Sequence, residues 1–159
     1  MREEVFVGGF GGQGVLLGGQ MLARAGMDLG LSVSWFPIYS PEVRGGYTTC
    51  TVVLTDGRVG SPLSERPASM IMMDPISMRS FGDRCADGGL MVLNSSLIEA
   101  EIVPDGVQVL WVPANDIARE IGNERAVNMV MIGAWAARTG FLTIEQIAGS
   151  LRKMLPERH

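Results

Sequence analysis

Glycines crowd one short segment near the start of the chain, where Gly9–Gly14 reads Gly-Phe-Gly-Gly-Gln-Gly and matches the pattern G-x-G-x-x-G. The segment follows an apolar run, Glu4–Gly9, and precedes a helical pattern over Gln13–Leu29. Residues without side chains let a ligand approach the backbone, and free amides at the start of a helix favour an anion. The pattern therefore predicts a loop that holds the phosphates of a ligand. The alternative is that these glycines only permit close packing of helix against strand.

A second candidate segment is Ser40–Gly46, with the sequence Ser-Pro-Glu-Val-Arg-Gly-Gly. Its Arg44 can pair with a phosphate or a carboxylate while the two glycines let the backbone bend around it. In a doubly wound sheet this segment follows the second strand, so we expect it at the same carboxyl-end edge as the glycine loop. The alternative is a surface ion pair of Arg44 with Glu42 that steadies the loop.

Several catalytic chemistries lack the residues that they need. The one histidine is His159 and the one lysine is Lys153. Histidine general-base catalysis, Ser–His and Cys–His nucleophiles and a Schiff-base lysine therefore have no partner in the body of the chain. Cys50 and Cys85 lie far apart and show no metal-ligand spacing, which favours reduced thiols and predicts no metal site. We expect no catalytic residues in this chain and no activity from it alone.

The glycine loop does not predict a nicotinamide dinucleotide or ATP. A dinucleotide-binding domain ends its second strand in an Asp or Glu that holds the ribose hydroxyls. Here the strand predicted over Ser32–Ile38 ends in Trp-Phe-Pro-Ile, and neither Asp28 nor Glu42 is well placed. A phosphate-loop ATPase requires Gly-Lys-Ser/Thr, which the sequence does not contain.

The composition is that of a single domain over residues 1–159, with 47% hydrophobic and 19% charged residues and a net charge of −4. The high apolar fraction has two explanations, a surface covered by another chain or a well-buried α/β core. The acidic balance argues against nucleic acid as a partner. No apolar stretch reaches the roughly 18 residues of a membrane span. The first predicted strand begins within a few residues of Met1, so we expect neither a secretion signal nor a transit peptide. We therefore expect a cytoplasmic protein.

Strand and helix patterns alternate and predict an α/β fold, a three-layer α/β/α Rossmann-like domain with a mixed, mostly parallel sheet. The predicted strands are Glu4–Gly9, Ser32–Ile38, Tyr47–Leu54, Ala68–Met73, Gly89–Asn94 and Val107–Val112. The predicted helices are Gln13–Leu29, Ile76–Cys85, a short one ending at Ile121, Glu124–Arg138 and Thr143–Leu155.

Local signals refine this outline. The Asp-Gly turn in Thr55–Arg58 predicts an antiparallel hairpin that returns through Val59, which makes the sheet mixed. Asn115 or Asp116 is the predicted cap of the short helix, and a capping box of Thr143 and Gln146 opens the last one. The predicted core includes the following residues: Met70, Met72, Met73, Trp111 and Trp135. Asn128 either fixes a cofactor or bonds a neighbouring backbone carbonyl.

Three segments together resemble the gamma subunit of 2-oxoacid:ferredoxin oxidoreductases. They are the glycine loop within Gly9–Leu16, the Pro-Glu-Val-Arg-Gly-Gly of Pro41–Gly46, and the helix that carries Asn128 and Gly133. The resemblance runs from about Val5 to the last predicted helix. The same type of domain is fused within single-chain pyruvate oxidoreductases and indolepyruvate enzymes, so the resemblance specifies the complex better than its substrate.

The resemblance implies oxidative decarboxylation of a 2-oxoacid to an acyl-CoA, with electrons passed to ferredoxin. In that family, thiamine diphosphate and iron–sulfur clusters carry the chemistry, and this chain lacks cluster-spaced cysteines. We therefore expect these cofactors on partner chains: alpha and beta subunits and, where present, a ferredoxin-like delta subunit. By matched position, the residues implied to lie near coenzyme A are Gly11, Gly12, Gln13, Gly14 and Arg44.

The sequence leaves the C-terminal end, the substrate and two rival functions open. Family members usually run some tens of residues further, so either the C-terminal end is truncated or this subunit lost its tail. Overall resemblance favours 2-oxoglutarate over pyruvate or branched-chain acids as the substrate. The rival functions are a stand-alone Rossmann-type nucleotide-binding oxidoreductase and a regulatory module that binds an adenine nucleotide. The absent ribose-binding acid disfavours the first of them, whereas the glycine loop alone would serve the second.

Overall fold

Six strands form one sheet in the computed structural model, which describes residues 1–39, 47–100 and 103–155. The strands are β1 (Arg2–Phe10), β2 (Ser32–Tyr39), β3 (Tyr47–Thr55), β4 (Ser69–Met72), β5 (Leu90–Asn94) and β6 (Gln108–Val112). The α-helices are α1 (Val15–Asp28), α2 (Pro75–Phe81), α3 (Ala114–Glu120), α4 (Val127–Thr139) and α5 (Ile144–Met154). Single 3-10 turns cover Gly82–Arg84 and Glu124–Ala126.

The strand order is β2-β3-β1-β4-β5-β6. β1, β4, β5 and β6 are parallel neighbours, while β3 is antiparallel to both β1 and β2. The predicted mixed, mostly parallel sheet is thus confirmed. Pro37 lies on the edge strand β2, where its missing N–H is tolerated.

The hairpin predicted through Thr55–Arg58 is wrong. β3 ends at Thr55, and no strand lies among the described residues between it and Ser69. Both edges of β3 are already paired, so a returning strand has no free edge to join. Instead Arg2 holds the segment after the turn, because its guanidinium donates to the carbonyls of Arg58 and Val59 at 3.1 and 2.8 Å.

Apolar side chains alternate along the strands and build a core on each face of the sheet. On one face Val5 and Val7 pack with α1, α3, α4 and α5, and Trp135 is fully buried there. On the other face Phe6 and the buried methionines of β4 pack with Met78 of α2. Both faces are therefore covered, which confirms the three-layer α/β/α arrangement. None of the helices formed by the described residues is long and apolar enough to cross a membrane.

Several local predictions differ from the structure. The helix predicted over Ile76–Cys85 ends at Phe81, and α3 begins at Ala114, after Pro113. Asn115 and Asp116 consequently lie inside α3 and do not cap it. Trp111 is 39% exposed and is not part of the core. The capping box of Thr143 and Gln146 is confirmed, with the Thr143 hydroxyl accepting from the Gln146 amide at 3.1 Å.

Candidate functional site

The glycine loop joins the end of β1 to the start of α1 and turns sharply. Gly12 has φ +92° and Gly14, the N-cap residue of α1, has φ +77° and ψ +30°. Both values lie in the left-handed region that side chains disfavour, so this backbone path requires glycine. The Gln13 amide donates to the Phe10 carbonyl at 3.2 Å and closes the turn.

The side chain of Gln13 braces this loop. Its Oε1 accepts from the Phe10 amide at 3.0 Å, and its Nε2 donates to the Met73 carbonyl at 3.3 Å, at the end of β4. Gln13 was predicted to lie near the ligand, and in the structure its amide group is engaged within the protein. Its role in the described residues is therefore to fix the loop against the neighbouring strand.

Asn128, near the start of α4, holds the other end of the loop. Its side chain is 2% exposed, and its Nδ2 donates to the Gly14 carbonyl at 3.1 Å. A Cβ on Gly14 would lie 2.5 Å from that nitrogen, so the contact requires glycine for space as well as for conformation. Of the two roles considered for Asn128, the structure shows the bond to a backbone carbonyl.

The four glycines of the motif divide into two pairs. At Gly9 a Cβ would lie 2.6 Å from the Gln13 Oε1, and at Gly14 it would meet Asn128, so these two serve close packing. At Gly11 and Gly12 a Cβ would find no heavy atom within 4 Å. Packing therefore accounts for one pair only, and the other pair leaves exposed backbone open to a ligand.

Three open clefts border this exposed backbone. One, of about 340 Å³, lies toward β2 and β3, where Tyr39 and Thr48 complete its wall. A second, also about 340 Å³, lies between the loop and the start of α4, and Leu97, Asn115 and Arg125 line its far side. A third, of about 700 Å³, extends along α4 and again includes Arg125. The loop is thus accessible from both sides.

Arg125 lies at this site, although it was not among the residues predicted from the sequence. The Asn123 side chain accepts from the Arg125 amide at 3.1 Å and fixes its backbone in the 3-10 turn before α4. Among the described residues its exposed guanidinium has no hydrogen-bond or ion-pair partner. The neighbouring Glu124 approaches Arg119, at 3.9 Å. The sequence did contain a signal for Arg125. A cation directly before a helix is disfavoured by the helix dipole, so its presence there suggests a role other than stability.

Arg44 and the rest of residues 40–46 lie outside the described residues. The described residues on either side are Tyr39, at the end of β2, and Tyr47, at the start of β3. Tyr47 pairs with Phe10 at the point where β1 enters the glycine loop. The chain therefore leaves and re-enters the described structure at the same sheet edge as the glycine loop.

The two cysteines offer no nucleophile at this site. Burial raises the pKa of the Cys50 thiol to about 12, and its Sγ donates weakly to the Val15 carbonyl at 3.7 Å. Burial also raises the pKa of Cys85, on the opposite face of the sheet. A thiol with a raised pKa carries little reactive thiolate at neutral pH.

The exposed backbone of the loop and the Arg125 guanidinium can bind and orient an anion.

The sequence of this chain matches a family model over residues 4–159, and that family is described as pyruvate ferredoxin/flavodoxin oxidoreductase. The chain belongs to this family. The match confirms the resemblance to 2-oxoacid:ferredoxin oxidoreductases. Relatives are named as a subunit of a ketoisovalerate oxidoreductase and a subunit of a 2-oxoglutarate synthase.

Two curated relatives show how identity and coverage vary among the similar proteins. The ketoisovalerate oxidoreductase subunit VorA of Methanothermobacter thermautotrophicus is 42% identical over 134 residues, which cover 84% of this chain and 28% of VorA. This chain therefore spans little more than a quarter of that relative. The 2-oxoglutarate synthase subunit KorC of Methanothermobacter marburgensis is 29% identical, with 98% of this chain and 88% of KorC covered.

A solved structure supports the fold. The gamma subunit of a keto/oxoacid ferredoxin oxidoreductase from Geobacter sulfurreducens superposes with a TM-score of 0.84. The sequence identity is 25%, and the match covers 98% of this chain and 88% of that subunit. The predicted Rossmann-like α/β architecture is therefore the architecture of a known gamma subunit.

Proposed function

We propose that this chain is a non-redox gamma-type subunit of a 2-oxoacid:ferredoxin oxidoreductase, one domain over residues 1–159 that works in a complex with alpha and beta subunits. The observation that carries the proposal is the family match over residues 4–159. The complex would decarboxylate a 2-oxoacid oxidatively to an acyl-CoA and pass the electrons to ferredoxin. Two free, buried cysteines suit the reducing cytoplasm.

Thiamine diphosphate and the iron–sulfur clusters are assigned to the partner subunits. With two cysteines in 159 residues, this chain cannot supply the four thiolates of a cluster. Among the described residues no three His, Cys, Asp or Glu side chains lie close enough together to hold a metal. The chain would therefore contribute binding and positioning within the complex.

Coenzyme A is the ligand that we assign to the glycine loop. Its phosphates need close backbone approach and positive charge, and Gly11 and Gly12 provide the first. Arg125 lines two of the clefts that meet at Gly12 and provides the second. We propose that Arg44 adds another positive charge from the segment between β2 and β3. Gln13 and Gly14 would act by holding the loop in shape.

Two substrate classes have support. The overall resemblance favours 2-oxoglutarate, the substrate named for KorC, which matches nearly the whole chain. The higher identity, 42% against 29%, favours the branched-chain 2-oxoacid named for VorA. Assays of the purified complex with 2-oxoglutarate, ketoisovalerate and pyruvate would rank them by kcat/KM.

The experiment that tests the proposal begins with affinity purification of this chain from its native cell and mass spectrometry of the proteins that accompany it. We expect subunits that carry thiamine diphosphate and iron–sulfur clusters, and CoA-dependent reduction of ferredoxin by the purified complex. Purification without such partners, or micromolar binding of NADH by the isolated chain, would favour a stand-alone nucleotide-binding oxidoreductase. Binding of an adenine nucleotide without partners would favour a regulatory module.

Variants of the complex test the coenzyme A site. Arg125→Ala and Arg44→Ala should each raise the KM for coenzyme A about tenfold, because a charge-assisted contact is lost. The KM for the 2-oxoacid should stay the same. Arg79→Ala is the matched control, since Arg79 is an exposed arginine of α2 on the opposite face of the sheet. An unchanged KM for coenzyme A in both variants contradicts the assignment.

A further inference from the structure

A single buried asparagine connects the ends of three parallel strands at the edge that carries the glycine loop. Asn94, the last residue of β5, is fully buried and makes four hydrogen bonds. Its Nδ2 donates to the Met73 carbonyl at 3.0 Å and to the Asn115 Oδ1 at 2.7 Å. Its Oδ1 accepts from the amides of Ser96 and Ala114, each at 3.2 Å. All the hydrogen-bonding capacity of the side chain is used.

One of these partners is shared with the glycine loop. The Met73 carbonyl accepts from the Asn94 Nδ2 and also from the Gln13 Nε2, at 3.3 Å. Gln13 in turn accepts from the Phe10 amide through its Oε1. A continuous chain of amide groups therefore runs from the buried end of β5 to the exposed loop. Because both side chains donate to one carbonyl oxygen, the position of that oxygen connects the two groups.

The remaining partners of Asn94 lie on the far wall of a cleft. Asn115 and Leu97 line the cleft between the loop and the start of α4, opposite Gly11 and Gly12. Asn94 bonds Asn115 directly and anchors Leu97 through the preceding Ser96 amide and its own carbonyl, which accepts from the Leu97 amide at 3.1 Å. Asn94 is thus connected by hydrogen bonds to both walls of the cleft.

We propose that Asn94 is a positioning residue for the coenzyme A site: it fixes the glycine loop, through Met73 and Gln13, relative to the Asn115 wall. The inference rests on the proposed function, because it takes coenzyme A as the ligand of this cleft. Asn94 is buried and does not touch the ligand itself. Its effect on binding comes from holding the exposed amides of Gly11 and Gly12 at the right distance from the opposite wall.

The test compares uncharged substitutions in the assembled complex. Asn94→Ala should raise the KM for coenzyme A by roughly tenfold, the range expected when positioning hydrogen bonds are lost. The KM for the 2-oxoacid and the kcat at saturating coenzyme A should stay the same. Leu54→Ala is the control for lost stability, since Leu54 is fully buried and packs under Gly26, away from the loop. It should lower the melting temperature without changing either KM.

A second variant keeps the test decisive if Asn94→Ala does not assemble. Gln13→Met breaks the same chain at the half-exposed loop and should also raise the KM for coenzyme A severalfold. Where both fold, the double variant should have no larger effect than the stronger single one, because both act through the Met73 carbonyl. An unchanged KM in folded Asn94→Ala, or in Gln13→Met when it alone assembles, overturns the inference.

Hydrogen exchange of the isolated chain gives a readout that needs no activity. The amides of Phe10 and Gln13, which are hydrogen-bonded within the loop, should exchange faster in Asn94→Ala than in Leu54→Ala at matched stability. Equal exchange in the two variants contradicts the positioning role.

A complex that carries Gly11→Asp distinguishes the role proposed for Asn94 from the assignment of coenzyme A to the glycine loop. If it raises the KM for coenzyme A and Asn94→Ala does not, the loop binds the ligand and only the role of Asn94 is wrong. If neither raises it, the assignment of coenzyme A to the loop fails.

Discussion

Helix α1 and the loop before it carry two sets of glycines with different roles, close packing in the helix and exposed backbone in the loop. At Gly19 and Gly26, within the helix, an added Cβ would lie 2.4 Å from the Cys50 Sγ and 2.6 Å from the Leu54 Cδ2. At Gly11 and Gly12, in the loop, an added Cβ would meet nothing within 4 Å. The first set brings the helix against β3, and the second leaves the backbone bare toward solvent.

This difference shows how a glycine-rich stretch is to be interpreted. A glycine within a helix costs about 1 kcal/mol relative to alanine, so its presence needs a reason. In the body of α1 the reason is close packing against the sheet. In the loop the reasons are backbone conformation and, as we propose, access for a ligand. The two sets should therefore respond differently to the same substitution.

The largest expected loss of stability is at the glycines packed within α1, Gly19 and Gly26. Gly19→Ala should lower the free energy of unfolding by about 2–3 kcal/mol, because the new methyl group overlaps Cys50 and Trp35 in a close-packed core. Urea denaturation of the isolated chain measures it. The matched control is Gly18→Ala, one residue away on the same helix, where the Cβ would lie at an ordinary 3.6 Å from Ile132. That variant should be neutral or more stable, and an equal loss in both would contradict the packing explanation.

The next effect is at Gly14, where the two sets meet. Gly14→Ala should cost about 1–2 kcal/mol from the left-handed backbone alone, and more from the contact with Asn128. Gly140→Ala isolates the first part, since Gly140 caps α4 with φ +66° and has open space around it. Thermal unfolding of both variants should show the larger loss at Gly14. Equal losses would mean that Asn128 moves aside without cost.

A smaller effect on stability, with a clear effect on binding, is expected at Gly11. Gly11→Asp should leave the unfolding curve of the isolated chain unchanged, because the side chain enters solvent and φ is not positive. In the complex, its carboxylate should repel the phosphates of coenzyme A and raise the KM about tenfold. Gly11→Ala is the neutral control. A loss of stability without a change in KM would assign Gly11 to folding.

The sequence predicted the parts of this molecule whose signals are local. The glycine loop lies within six residues between a strand and a helix, and the capping box of Thr143 and Gln146 spans four, so both could be recognised directly. The wrong hairpin shows the limit of such signals. The Asp-Gly turn is present, but β1 and β2 occupy both edges of β3, and that pairing depends on residues far apart in the chain.

The missed part of the site depends on contacts between distant residues. Arg125 lies beside the loop just before α4, and in that helix Asn128 bonds the Gly14 carbonyl, a contact across 114 positions. Asn115 was expected to cap a helix, a common local role, but its side chain bonds the buried Asn94. Thr143 and Gln146, three positions apart, were thus placed correctly, whereas the partner of Asn115 comes from tertiary structure and was not foreseen.

The smallest expected effect concerns the far end of α1. The Ser150 hydroxyl donates to Asp28 at 2.7 Å and, with Lys153 and Arg24, holds the pKa of that carboxyl below its ordinary value of 3.8. A carboxyl whose pKa is lower in the folded state stabilises the fold when ionised, and loses that contribution as the pH falls through the folded pKa. Asp28→Asn should therefore be slightly less stable than the native chain near neutral pH, and the difference should disappear in acid below pH 3.8. Because these ion pairs are exposed, the loss should stay below that of Gly19→Ala, and salt should reduce it further. Thermal unfolding at several pH values measures it. A difference that persists unchanged into acid would mean that Asp28 joins α1 to α5 by hydrogen bonds that an amide can replace only in part, and not by its charge.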